Sequence, residues 1–338
     1  MKSILASALL TVVATAASAQ TPGHRPLEID MPHFGETVGG NIFYPAGAGG
    51  TEEQFGRGPT FSRIPVMEGA ELVEGTYPLV LYSHDWNGGL GPQAWVLHGM
   101  AQRGAIGVHV DHKHTLWGSN DVGQALNHWT RVQDLSEILD HVLTDPEVGP
   151  MIDRSRIMVV GFGEGGLTAL SAAGATANLD AVVSACEANG SAMRYCDEMM
   201  ADDVNLAGYD PAAWNASYKL DAITSVAVIE PSLVYGFSAE NVENLVDDVT
   251  LISFKNGEEF DVATDIDASG LAAALPNATR LDFNPAYRFS AALTCLDGVE
   301  EALAEAGRFP VCTDPEGSDR TEIQGKILDA LSSKLGLQ

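Results

Sequence analysis

The chain has 338 residues, 45% of them hydrophobic, and carries a formal net charge of −28 at pH 7. That length suffices for one large α/β domain or two small ones. A surface this acidic repels nucleic acid and anionic lipid, so we expect neither as a partner and interpret the charge as a feature of solubility. The acidic residues are scattered along the chain, so no disordered acidic tail is predicted.

The first 19 residues have the pattern of a secretory signal peptide. Lys2 gives a positive start, residues 4–13 are apolar, and Ala17-Ser18-Ala19 forms a small-residue cleavage site before Gln20. The apolar stretch is too short to span a membrane, and no other long apolar run follows. We therefore expect an exported protein, periplasmic or secreted, with a single mature domain at 20–338.

Strands and helices alternate through most of the chain after a glycine-rich polar stretch at 47–62, which is interpreted as a surface loop. Strands are predicted at 78–83, 105–110, 157–160, 181–185, 225–229 and 249–254, and helices at 93–103, 126–142, 165–173 and 320–335. Such alternation predicts an α/β fold with a mostly parallel sheet flanked by helices. The segment at 186–218 interrupts it and is predicted to be a small cap insertion over the carboxyl edge of the sheet, where sites in such folds lie.

Four cysteines follow the signal segment. An even number in an exported chain favours two disulfides over four buried thiols. The simplest of three connectivities pairs Cys186 with Cys196 and Cys295 with Cys312. No Cys-x-x-Cys occurs, so neither a thiol redox site nor a zinc knuckle is expected.

The sequence VVGFGEGG at 159–166 has the form of a nucleophile elbow without a nucleophile. In Gly-x-Ser-x-Gly proteins a strand, a tight glycine-rich turn and a helix present the catalytic serine. Here the glycines are kept, but Gly163 stands where the serine would be. The same glycines also fit Gly-x-Gly-x-x-Gly, a dinucleotide fingerprint, with Asp180 near the expected acidic position. That motif usually lies on the first strand of its domain, whereas this strand is the third predicted one.

Several blocks of the chain resemble one family. TYPLVLYSHDWNGG at 76–89, GVHVDHKHT at 107–115 and TRVQDLSEILDHVL at 130–143 are similar to blocks of the predicted dienelactone hydrolase family, which is related to the platelet-activating-factor acetylhydrolases. The resemblance runs from about residue 40 to the carboxyl terminus. It implies the α/β-hydrolase fold, an ester- or lactone-hydrolysing triad and no cofactor.

The same resemblance exposes departures at the residues that would carry the chemistry. The serine of the family maps to Gly163 and its histidine to Arg280, and all nine histidines precede the elbow although the triad order is nucleophile, acid, histidine. The acid falls in 257–261, at Asp261 or Glu259. Asp85 replaces a glycine of the oxyanion loop, where its carboxylate would oppose a developing negative charge.

Three hypotheses follow. The first is a degenerate hydrolase that keeps its fold and cleft and binds a small molecule or a protein without catalysis. The second is an ester or lactone hydrolase that uses the carboxylates of Glu164, Asp85 and Asp261, provided that burial raises one pKa; Glu164 could instead simply stabilise a helix N-terminus. The third is a metal site at His112 and His114, which would need a third ligand.

Overall fold

The computed structural model describes residues 20–256, 261–308 and 310–337. The signal peptide predicted at 1–19 and Glu259 lie outside these residues. Within them, no helix is both long enough and apolar enough to cross a membrane.

A single ten-stranded sheet forms the centre of the described chain, in the order β10-β9-β8-β7-β5-β6-β2-β1-β4-β3. The strands are β1 (Gly23–Met31), β2 (Glu36–Tyr44), β3 (Thr51–Phe55), β4 (Ile64–Glu68), β5 (Tyr77–Ser83), β6 (Ile106–Val110), β7 (Ile152–Phe162), β8 (Ser225–Ile229), β9 (Asp248–Phe254) and β10 (Thr279–Phe283). Neighbours from β10 to β6 all pair in parallel, whereas β2 joins β6 and β1 in antiparallel fashion. The predicted mostly parallel sheet is confirmed.

Helices cover both faces of this sheet. They are α1 (Trp95–Gln102), α2 (Val122–Ala125), α3 (Trp129–Thr144), α4 (Glu164–Ala172), α5 (Leu179–Asn189), α6 (Arg194–Ala201), α7 (Pro211–Trp214), α8 (Leu271–Ala274), α9 (Val299–Glu305) and α10 (Arg320–Lys334). Alternate residues of β5 point to opposite sides: Leu81 packs into one apolar cluster with α3 and α4, and Val80 into another with α1 and α10. Burial on both faces explains why β5, β6 and β8 are continuous apolar runs.

Two sequence predictions about secondary structure are wrong. The strand predicted at 181–185 lies inside α5, because Asn178 caps a helix there by accepting a hydrogen bond from the amide of Ala181. A short apolar run does not by itself distinguish a strand from a buried helix. The loop predicted at 47–62 contains the edge strand β3, whose exposed polar side chains conceal its pairing with β4.

Both predicted disulfide pairs are at bonding distance. Cys186 and Cys196 join α5 to α6, with sulfurs 1.93 Å apart. Cys295 and Cys312 join the segments on either side of α9, with sulfurs 1.96 Å apart. The local connectivity chosen from the sequence is the one that the structure shows.

Candidate functional site

The elbow between β7 and α4 keeps the backbone of a nucleophile turn. Gly163 has φ +60° and ψ −121°, a conformation that residues with a side chain rarely adopt. A Cβ at Gly161 would lie 1.9 Å from the carbonyl oxygen of Gly165, and one at Gly165 would lie 2.0 Å from that of Ser83. The glycines are therefore required by close packing of the turn against β5.

The carboxylate of Asp85 fills the space that a nucleophile would occupy. β5 and β7 are parallel neighbours in which Ser83 pairs with Gly161, so the residues just beyond them also lie side by side. A Cβ built on Gly163 would be 1.8 Å from Asp85 Oδ1. No side chain could be added at Gly163 unless Asp85 moved.

Four groups hold this carboxylate in place. Oδ1 accepts hydrogen bonds from the backbone amide of Glu164 and the hydroxyl of Tyr195, each at 2.9 Å. Oδ2 accepts one from Arg288 Nη2, and Arg194 Nη2 lies 3.8 Å away. In this type of elbow the amide after the nucleophile is an oxyanion-hole donor. Here that donor is already bound to an internal anion.

The electrostatics keep Asp85 ionised. Burial by itself would raise the pKa of Asp85, but the guanidiniums of Arg288 and Arg194 and the amide of Glu164 lower it below its usual value. Burial raises the pKa of Tyr195, so its phenol remains a hydrogen-bond donor. The centre of the site is therefore a fixed, buried ion pair.

Arg288 was missed by the sequence analysis. It lies in the segment after β10, the last strand, and the histidine is the last triad member in this chain order. Arg280, to which the family histidine was mapped, lies on β10 and binds Asp267 at 2.6 and 2.7 Å and Asp282 at 2.8 Å. Arg288, and not Arg280, is the arginine that lies beside Gly163 and Asp85.

Glu164 faces the core below the elbow. Its side chain is fully buried, and its Oε2 accepts a hydrogen bond from Arg131 Nη1 at 2.9 Å. Burial raises the pKa of Glu164 to about 7, against the lowering effect of Arg131. Arg131 comes from α3 and also donates to the hydroxyls of Thr115 and Thr168. This arrangement is a buried polar network, and Glu164 borders neither of the two cavities found in the cleft.

His112 and His114 are the two histidines of the metal hypothesis. His112 is buried, and its two ring nitrogens lie 2.9 Å from the hydroxyl of Ser83 and 2.8 Å from the carboxylate of Asp134. His114 belongs to the following turn, with φ +71°. Both nitrogens of His112 therefore have partners within the protein, and a metal ion bound there would have to displace one of them.

A different group in the described residues has metal-like spacing. Ligand atoms of His84, His109 and Asp111 all lie within 4.8 Å of one another. His84 already uses both nitrogens, one beside the carbonyl of Asp85 at 2.8 Å and one accepting from the amide of His112 at 3.1 Å. That leaves His109 and Asp111 as ligands, fewer than the three protein ligands of a catalytic zinc site.

Two adjoining cavities lie beside Arg288. One has a volume of about 390 Å³ and the other of about 310 Å³. Asp261, Tyr287 and Arg288 border both, so Asp261 is the predicted acid that does reach the cleft. The first is lined by Glu230, Phe254, Asn256, Asp261, Ala286, Tyr287, Arg288, Pro310, Thr313, Asp314 and Pro315, and the second by Arg194, Asp261, Tyr287, Arg288 and Phe289.

Glu230 is a second site residue that the sequence analysis missed. It follows β8 directly, with φ +50° and a side chain that is almost fully buried. Its carboxyl accepts hydrogen bonds from the amide of Phe254 and the hydroxyl of Thr264, both at 2.7 Å. Burial raises the pKa of Glu230 to about 7. A glutamate placed directly after a buried strand was the available sequence signal.

Comparisons with known proteins place the fold. No family model matches the chain, and no curated protein matches it by sequence. A ferulic acid esterase from Streptomyces cinnamoneus superposes with a TM-score of 0.55 at 14% identity, over 96% of this chain and 91% of the esterase. A Pyrococcus horikoshii acylaminoacyl peptidase gives a TM-score of 0.46 at 12% identity, over 90% of this chain and 44% of the peptidase. Together with the sheet and its flanking helices, the esterase likeness shows that this chain has the α/β-hydrolase fold.

Proposed function

We propose that this chain is a non-catalytic binding protein built on the α/β-hydrolase fold, a relative of the dienelactone hydrolases that has lost its triad. The observation that carries the proposal is the position of Asp85. Its ionised carboxylate occupies the nucleophile's space and takes up the amide of Glu164. The ligand of such a protein is a small molecule held in the cleft beside Arg288.

The expected loss of catalysis follows from how much each missing group contributes to the rate. Removing the serine or the histidine of a triad costs about 10⁶ in kcat, and removing one oxyanion-hole donor costs roughly 10²–10³. Gly163 supplies no nucleophile, Arg288 is a cation that does not act as a base at neutral pH, and Asp85 would repel an oxyanion. Hydrolysis through the usual mechanism is therefore expected to be undetectable.

The cleft supports the binding part of the proposal. Pockets for small molecules typically have volumes of roughly 300–1,000 Å³ and combine apolar walls with a few polar groups. The cavities of about 390 and 310 Å³ beside Arg288 fall at the lower end of this range and have both kinds of lining. A concave site of this size favours a small molecule over a protein partner.

Restoring the triad tests the proposal. The triple substitution Asp85→Gly, Gly163→Ser and Arg288→His removes the obstructing carboxylate and supplies a nucleophile and a base, with Asp261 as the acid. The matched control carries Arg280→His in place of Arg288→His. Hydrolysis of short-chain nitrophenyl esters and of a lactone is measured for the wild type and both variants. We expect activity only in the triple variant with histidine at 288.

The alternative is an ester or lactone hydrolase that uses Glu164, Asp85 and Asp261. It has less support, because Glu164 pairs with Arg131 in the core and Asp85 is ion-paired with Arg288. Wild-type turnover that disappears in Glu164→Gln or Asp261→Asn would establish this alternative and overturn the proposal of a binding protein.

Export is part of the same proposal. Two cysteine pairs at disulfide distance fit an oxidising compartment. Expression of the full chain in a bacterial host, followed by amino-terminal sequencing of the periplasmic and secreted protein, tests it. We expect a mature chain that begins at Gln20, and retention of residues 1–19 would contradict cleavage there.

A further inference from the structure

Two guanidiniums, those of Arg194 and Arg288, border the second cavity. Arg288 and Arg194 share one carboxylate, that of Asp85, so one guanidinium charge is left uncompensated by it. Among the described residues, Arg288 Nη1 and Arg194 Nε have no hydrogen-bond acceptor. Glu198, one turn along α6 from Arg194, is a further acid near both guanidiniums; burial raises its pKa, against the lowering effect of their charges.

Two acids, Asp261 and Glu230, border the first cavity together with Arg288, and both interact electrostatically with its guanidinium. Asp261 borders both cavities, and within the described residues its carboxylate accepts a hydrogen bond from the nearby amide of Ala263 alone, at 3.0 Å. Glu230 accepts its bonds from neutral donors. Within the described residues neither acid has a cation within 4.0 Å. Asp314 also borders the first cavity, but Arg320 already pairs with it at 2.7 Å.

Other walls of the two cavities are apolar. Phe254, Pro310 and Pro315 line the first cavity and Phe289 lines the second. The hydroxyl of Tyr287 donates to the carbonyl of Pro310, which leaves its ring as a wall of both cavities. A ligand that satisfies the whole cleft therefore needs a cationic group, an anionic group and an apolar body.

We propose, as a deepening of the binding function above, that the cleft takes a small zwitterion, namely an α-amino acid with an apolar side chain. The carboxylate of the ligand would lie against Arg194 and Arg288. Its ammonium group would lie against Asp261 and Glu230, and its side chain against the aromatic and proline walls. Charge-assisted hydrogen bonds at both ends would supply most of the selectivity.

Three probes separate the two charged ends. Phenylalanine has both charges, phenylalaninamide lacks the carboxylate, and N-acetylphenylalanine lacks the ammonium. Binding to the purified mature protein is measured by isothermal titration calorimetry and by ligand-observed NMR at constant ionic strength. We expect phenylalanine to bind about tenfold more tightly than either analogue, since a hydrogen bond to a charged group contributes about 1.5–3 kcal/mol and 1.4 kcal/mol is tenfold.

Two variants assign the ends to residues. Asp261→Asn, at an exposed position, should weaken the binding of phenylalanine and of phenylalaninamide about tenfold. It should leave the binding of N-acetylphenylalanine unchanged. Arg194→Met should weaken the binding of phenylalanine and of N-acetylphenylalanine and leave the binding of phenylalaninamide unchanged. The control is Asp329→Asn, an exposed acid on α10 that pairs with Arg103 outside the cleft and should change nothing.

The outcomes separate this inference from the function on which it depends. Equal affinity for all three probes, binding of only one charged analogue, or no binding at all would overturn the zwitterion inference. None of those results would be evidence of hydrolysis, so the proposal of a non-catalytic binding protein, with a different ligand, would be unaffected. Wild-type ester turnover in the triad experiment would overturn the proposed function whichever probe bound.

Discussion

Gly163 and Asp85 constrain each other, because one residue has no side chain and the other fills the space. A Cβ at Gly163 meets Asp85 Oδ1 at 1.8 Å and Arg288 Nη2 at 2.7 Å. We predict that Gly163→Ala destabilises the fold by roughly 3 kcal/mol, from overpacking and a strained backbone. Urea unfolding of Gly163→Ala, Asp85→Ala and the double variant measures the coupling. The double variant should be at least about 1 kcal/mol more stable than expected from adding the stability losses of the two single variants. Additive effects would show that the two side chains do not compete.

Glu230 gives a pH dependence with a definite sign. Its folded pKa of about 7 lies above the ordinary value of 4.5, so between these pH values the folded state keeps a proton that the unfolded state releases. Stability contributed by this group therefore falls as pH rises through the window, by up to about 3 kcal/mol. We predict that Glu230→Gln loses the part of the decline that Glu230 contributes and keeps the part from Glu164, whose pKa burial also raises to about 7. The measurement is the unfolding free energy at pH 4.5 to 8. Glu322→Gln, an exposed change on α10, should follow the wild type; a Glu230→Gln profile parallel to the wild type would contradict the prediction.

Single residues of the site are predictable from the sequence where they belong to a motif. Residues that come close to the site only through the fold are not. Gly163 and Asp85 were found because each belongs to a turn with a fixed spacing after a strand. Arg288, from the segment after β10, and Tyr195, from α6, both contact the carboxylate of Asp85. No local sequence pattern marks either position. Arg280 was chosen by matching a short stretch, and the structure places it on an edge strand with its own acidic partners.

Helix α6 carries both a disulfide cysteine and two of the side chains around Asp85. Arg194, Tyr195 and Cys196 are consecutive, so the bond from Cys196 to Cys186 holds the two side chains that contact Asp85. Closing a loop of this size stabilises a protein by about 3 kcal/mol. We predict that Cys186→Ser/Cys196→Ser increases amide hydrogen exchange along α6. The control is Cys295→Ser/Cys312→Ser, which should leave exchange in α6 unchanged. Equal amide exchange along α6 in both variants would show that packing alone positions this helix.

Elements were predictable where burial decides the residue types. β5, β6, β8 and β9 are apolar runs bounded by polar turns, and α3 has an apolar face at helical spacing. The segment 181–185 has the same apolar character, but it lies in a helix because Asn178 caps it. The edge strand β3 exposes nearly all its side chains, so its backbone pairing leaves no hydrophobic pattern to detect. Local patterns therefore identify the buried centre of the sheet better than its edge.

The whole molecule is held compact against a large charge imbalance of 46 acidic and 18 basic residues. Self-repulsion of a net charge of −28 destabilises the compact state, and salt screens it, since the Debye length falls from about 30 Å at 0.01 M to about 3 Å at 1 M. The buried pairs Arg131–Glu164 and Arg288–Asp85 are screened much less than surface charges.

We therefore predict that Tm at pH 7 rises with sodium chloride concentration, by roughly 2–4 °C for each kcal/mol of repulsion relieved. Differential scanning calorimetry from 0.01 to 1 M salt measures this. The internal control is the same series near pH 4.4, the isoelectric point of the sequence, where net repulsion vanishes and the slope should be close to zero. A Tm that falls with salt at pH 7 would mean that surface ion pairs stabilise the fold more than its net charge destabilises it.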